Sequence, residues 1–124
     1  MEIETILGEV VAKANHYMAV PDKQGGRRII KDEAIRAYER AFKQQCTKYK
    51  DKRIAFPFYL YVKVFYRNAN HDLDNSLKTL LDCLQYCNVI TNDNLCVQIV
   101  AEKHRDPRNP RLEYGIRETQ PSLF

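Results

Sequence analysis

The chain has 124 residues, 44% of them hydrophobic, and a formal net charge of +4. That length fits one domain with enough apolar side chains for a core, and there is no apolar run of about 20 residues to cross a bilayer. The opening "MEIETILGEVV" carries acids and no basic segment, so it predicts no secretory leader and a soluble, intracellular protein.

Residues 2–12 read as a strand of β-branched and apolar residues, with Gly8 a place for a bulge or bend. Residues 13–31, holding Pro21 and the pair Gly25-Gly26, read as a polar connection too rich in glycine and charge for a core element. At Asp32, a suitable N-cap, the pattern turns helical. Ile35, Tyr38, Phe42, Cys46 and Tyr49 recur at three- and four-residue steps, which is one helix face. Arg36, Arg40, Lys43 and Lys50 occupy the other.

The stretch "FPFYLYVKVFYR" (56–67) alternates. Phe58, Leu60, Val62, Val64 and Tyr66 point one way, and Tyr59, Tyr61, Lys63, Phe65 and Arg67 the other, which predicts a strand. Its aromatics could stack on nucleic-acid bases, although packing beneath a helix is the commoner use. Leu73, Leu77, Leu80, Leu81 and Leu84 then form the apolar face of a second helix over residues 73–86. "LCVQIVAEK" (95–103) and "RLEYGIRE" (111–118) read as two strands joined as a hairpin through the Pro107/Pro110 loop. The order β, loop, α, β, α, β, β predicts an α+β fold with helices on one face of a sheet, in a single domain over residues 1–124.

Three features carry chemistry. Cys46, Cys83, Cys87 and Cys96 lie in apolar patterns without a CxxC pair, so they read as buried thiols. A zinc site using Cys83, Cys87, Cys96 and His104 has no common structural spacing behind it. Basic residues cluster in "KQGGRRIIK", along residues 36–53 and in "EKHRDPRNPR", which suggests a polyanion partner as against a merely solvated surface. The third is "NANHDLDNSLK" (68–78). If the helix starts at Leu73, Asp72 is its N-cap and Asp74 lies in the first turn, where the helix dipole favours ionised carboxylates. Such a pair can bind a hard divalent cation such as Mg²⁺. Lys78 follows one turn after Asp74 on the same face. The plainer reading is an ordinary cap and an i,i+4 ion pair. A third acid, Asp93, precedes the next strand and could return toward the pair, which spacing does not decide.

"DLDNSLKTLLDCLQYCNVITND" resembles the central motif of the RusA family of Holliday junction resolvases. That motif has an Asp-Leu-Asp-Asn start, a lysine four positions after the second aspartate, a D-x-L step and an acidic turn before a strand. By that resemblance Asp72, Asp74 and Asp93 match the family's metal-binding acids, Lys78 its catalytic lysine, and Asp82 a recurrent aspartate. "ANHY" is similar to the family's short Asn-x-x-Tyr-like segment, which would fall at Asn15 and Tyr17. "GGRRIIKDEAIRAYERAF" is similar to its Gly/Arg loop and following helix. The chain departs from the pattern at Asn92, where the family often has a second acid, and at "EVVAKAN", where a proline-rich entry is usual.

The resemblance implies a small mixed sheet with two helices packed on one face, in a homodimer. It implies a Mg²⁺-dependent endodeoxyribonuclease that resolves four-way DNA junctions by paired symmetric nicks, in recombination and repair, in a bacterial or phage cytoplasmic setting. Arg27, Arg28 and Lys31 in the glycine loop, with Arg105 and Arg108 near the hairpin turn, are the expected phosphate contacts. Asn92 motivates the alternative, a junction- or DNA-binding protein with lost or altered cleavage. Two further rivals are a nuclease for flaps or forks on the same scaffold and a zinc-stabilised interaction protein.

Overall fold

The computed structural model describes residues 1–12 and 17–119, apart from the side chains of Tyr17, Met18 and Lys31. Its elements are β1 (Glu4–Leu7), β2 (Tyr17–Pro21), β3 (Arg27–Lys31), α1 (Glu33–Gln45), β4 (Phe58–Tyr66), α2 (Leu73–Tyr86), β5 (Cys96–Arg105) and β6 (Arg111–Glu118). The architecture is α+β. A mixed four-stranded sheet has the order β1-β6-β4-β5, and β2-β3 form a second, two-stranded sheet.

The alternation in β4 does what it predicts. Phe58, Leu60, Val62, Val64 and Tyr66 are buried, while the intervening residues are half-buried or exposed. Beside these residues on the same sheet lie Leu112 and Tyr114 of β6, and Tyr38 and Phe42 of α1 with Leu80 and Leu84 of α2 join them in one core. Leu73, Leu77 and Leu81 pack at its margin. Asp32 caps α1 through its carboxylate, which accepts from the Ile35 N–H at 3.1 Å. Cys46 and Tyr49 continue the buried face beyond the last helical turn.

Three expectations are corrected. The strands at the C-terminal end do not form a hairpin. Both flank β4, with β5 parallel to it and β6 antiparallel. The short Pro107/Pro110 connection therefore passes over the end of β4, where the Asp106 N–H donates to the Tyr66 carbonyl at 2.8 Å. The physical reason is burial. β4 is apolar on its inward face and needs a neighbour at each edge, and α2 supplies the crossover that a parallel pair requires.

The polar connection over 13–31 contains the antiparallel pair β2–β3, registered Val20↔Arg28 and Pro21↔Arg27. Its glycine pair, with Asp22 and Lys23, belongs to the turn. Asp22 Oδ1 accepts from the backbone of Gln24 at 2.9 Å and of Gly26 at 2.8 Å, and Gly25 takes φ +84°. Arg27, Arg28 and Lys31 thus stand on a strand and not in a loop. The N-terminal strand is also shorter than residues 2–12, because Gly8 at φ +104° ends it and donates to the Pro110 carbonyl at 3.0 Å.

On the sheet's outer face, one aromatic of β4 is already covered. Phe65 stacks on His104, with centroids 4.8 Å apart, and the Arg111 guanidinium lies 3.7 Å from its ring centre. This ring is not an open platform for a base.

Candidate active site

β4 and β5 run parallel, and α2 connects them, so the N-terminus of α2 meets the carboxyl ends of both strands. In sheets with such crossovers this is where ligands are usually received. The loop 67–71 carries the chain from Tyr66 to Asp72. Asp72 is the N-cap of α2 as predicted, and Asp74 lies in the first turn. The Asp72 carboxylate accepts no capping hydrogen bond, so its oxygens are not committed to the helix. Both side chains are exposed at the positive end of the helix dipole.

A compact polar network lies beneath them. The Tyr66 hydroxyl shares a 2.5 Å hydrogen bond with Ser76 Oγ, and both residues are buried. His71 lies flat on the Tyr66 ring at 4.6 Å, with 5° between planes, and its Nε2 is 3.4 Å from Glu9 Oε1. Burial pushes the Tyr66 hydroxyl's pKa up, its bond to Ser76 lowers it, and the charges of Glu9, Asp72 and Asp74 raise it further. Three carboxylates are therefore felt at one hydroxyl.

Lys78 extends the site along α2. Its Nζ lies 3.9 Å from Asp82 and 4.0 Å from Asp93. Asp93 opens a short 3₁₀ turn, Asp93–Leu95, and its N–H donates to Gln85 Oε1 at 2.5 Å. Asn92 caps that turn by accepting from the Asn94 N–H at 2.9 Å. The acids are thus strung along one side of α2, with Asp72 and Asp74 at its start, Asp82 and Asp93 further on, and the Lys78 ammonium between. From Asp74 to Asp82 the helix rises about 12 Å.

Among the described residues no group of three or more His, Cys, Asp or Glu side chains stands close enough to grip a metal ion. The donor set nevertheless suits a hard divalent cation. It consists of carboxylate oxygens with an uncapped Asp72, and Mg²⁺ commonly takes one or two carboxylates and completes its shell with water and substrate phosphate. The zinc alternative gains nothing from the fold. Cys46, Cys83 and Cys87 are buried thiols, and the Cys96 thiol is bonded to the Gln98 carbonyl.

The expected phosphate contacts are dispersed. Arg105 ends β5 opposite Tyr66, and Arg108 follows on the crossing, both exposed at the same sheet end as Asp72. Arg27 and Arg28 are exposed on β3 in the separate two-stranded sheet, and the side chain of Lys31 lies outside the described residues. Asn15 and the side chain of Tyr17 lie outside them too.

Sequence reasoning did not single out Glu9, His71, Tyr66, Ser76 or Lys103 for this region. Lys103 Nζ donates to the Ala69 carbonyl at 2.8 Å, in the loop that delivers Asp72. One signal was available: Ser76 falls three residues after Leu73 and four before Leu80, a polar position within the buried face. Glu9 and His71 gave no comparable signal, because their pairing spans 62 residues of sequence.

A family profile described as Endodeoxyribonuclease RusA matches residues 8–117. Among curated proteins, none matches the chain.

Proposed function

This chain belongs to the RusA family of endodeoxyribonucleases, and we propose from that premise that it resolves four-way DNA junctions by paired nicks, using Mg²⁺. We read residues 1–124 as one endonuclease domain that works as a homodimer in recombination and repair, in a bacterial or phage cytoplasmic setting. Among the described residues no helix is long and apolar enough to cross a membrane.

The observation that carries the reading is the arrangement along α2: two exposed aspartates at its start and Lys78 one turn on, in contact with Asp93. Asp72 and Asp74 would hold the cation, with Asp93 as the third acid. When bound there, the cation supplies a more acidic water and charge compensation at the phosphate. The Lys78 ammonium neutralises charge developing on the phosphate or the leaving oxygen. Arg105 and Arg108 would hold a strand at this sheet end, while Arg27, Arg28 and Lys31 on the β2–β3 pair would contact phosphates of the branched substrate. A two-fold dimer suits a junction of near two-fold symmetry, since each site can face one of two matching strands.

The test is cleavage and binding of a four-way junction by Asp72→Asn and, in parallel, Asp93→Asn. Both are expected to bind the junction as the parent does, because the basic surface is unchanged, and to lose Mg²⁺-dependent cutting. Dimers mixed from parent and Asp72→Asn protomers are expected to nick only one strand of the pair. Parental cutting by Asp72→Asn refutes the cation site. A parent that binds junctions without cutting them at any Mg²⁺ concentration favours the binding-only reading, to which Asn92 points by capping a turn where the family often has an acid.

A further inference from the structure

No capping hydrogen bond to α2 holds the Asp72 carboxylate. Its placement must come from the loop before it. That loop is held from outside. Glu9 Oε2 accepts from the Arg67 N–H at 2.7 Å, at the loop's first residue. Glu9 Oε1 lies 3.4 Å from His71 Nε2, at its last residue. Lys103 fastens the middle through the Ala69 carbonyl at 2.8 Å.

Glu9 therefore grips both ends of the segment whose next residue is Asp72. Its own position is set by the turn at Gly8, which bonds to the Pro110 carbonyl at 3.0 Å. The His71 ring it engages lies on Tyr66, and Tyr66 reaches into α2 through Ser76. One carboxylate thus ties the end of β1, the β4–α2 loop and the first turns of α2 into a single unit.

We propose that Glu9 is a positioning residue for the site at the start of α2, acting on Asp72 through the Arg67 amide and the His71 ring. The inference rests on the reading of Asp72 and Asp74 as the cation-holding end. It assigns no contact between Glu9 and DNA or cation. A hydrogen bond at one end of a five-residue loop and a close carboxylate–imidazole contact at the other restrict it more than either alone, and a small displacement of a catalytic group is enough to slow chemistry about tenfold to a hundredfold.

The experiment compares Glu9→Ala, Glu9→Gln and Glu9→Asp in the full chain. It measures single-turnover cleavage of a saturating four-way junction, junction affinity in Ca²⁺, and backbone amide NMR signals. Glu9→Ala is expected to cut about tenfold or more slowly with unchanged affinity. The amide signals of Arg67 and of Asp72 to Asp74 should move while those of Leu80 and Leu84 stay. Glu9→Gln keeps an oxygen acceptor for the Arg67 N–H and should recover most of the rate and return the Arg67 signal. A folded Glu9→Ala that cuts at the parental rate overturns the proposal, as does a Glu9→Gln as slow as Glu9→Ala. If Glu9→Ala does not fold, Glu9→Asp decides, since it withdraws the carboxylate by one methylene: slow cutting supports the role and parental cutting refutes it. Asp72→Asn in the same assay separates the two ideas. If it is inactive while Glu9→Ala is parental, the Glu9 role alone fails. If it too cuts at the parental rate, the site reading fails and this inference with it.

Discussion

The Tyr66 hydroxyl joins the core to the candidate site, and its energetics can be tested directly. It is fully buried and shares its hydrogen bond with Ser76, which is buried as well. Removing one partner leaves the other desolvated and unpaired, which costs about 1–3 kcal/mol. Tyr66→Phe should lower the stability to chemical denaturation by that amount. It should also shift the stacked His71 very little, because the ring face is retained. A change below about 0.5 kcal/mol would mean that Ser76 finds another partner. At this scale the sequence was legible in part. Tyr66 has the inward parity of β4 and Asp72 the position of an N-cap, both consequences of local periodicity. Glu9 carries no such mark, since its role exists only once Arg67 and His71 come to it.

At the scale of elements, α2 is the best-determined piece. Its five leucines predicted the observed span Leu73–Tyr86, because one apolar stripe at helical spacing has a single way to be buried. Leu80 and Leu84 are fully buried beneath β4. Leu80→Ala should destabilise the protein by about 2–5 kcal/mol, the cost of lost burial plus a cavity. Urea unfolding measures it, and a loss under about 1 kcal/mol would show that the core collapses around the gap. The β2–β3 pair offers the opposite case. Its residues read as connection because glycine and charge dominate the turn, while its strands are only five residues each. Its exposed arginines give a prediction of their own. Arg27→Ala combined with Arg28→Ala should weaken junction binding and reduce the slope of log affinity against log salt by about 2. An unchanged slope removes these two from the phosphate contacts.

For the whole molecule, the decisive feature is that β4 lies between β5 and β6. The parallel β4–β5 pair sends α2 back along the sheet, so the helix start, the end of β5 and the crossing at Asp106 gather at one end. Arg105 and Arg108 come to stand on the same sheet end as Asp72 by this topology alone. The same topology brings Asp93 to the side of α2 at the level of Lys78 and Gln85, and not to the helix start. Whether Asp93 acts together with the helix start is measured directly by the parallel behaviour of Asp72→Asn and Asp93→Asn.

What the sequence determined by itself is whatever repeats locally: the inward face of β4, the stripe on α2, the cap at Asp32, and the short motif that marks the family. These follow from periods of two and 3.6 residues and from backbone groups that need a partner close in the chain. Which strands are neighbours, which face of Phe65 is covered, and which carboxylate holds the Asp72 loop were decided only by tertiary structure. Edge pairing and long-range charge contacts depend on burial summed over the whole sheet, and no window of neighbouring residues contains that sum.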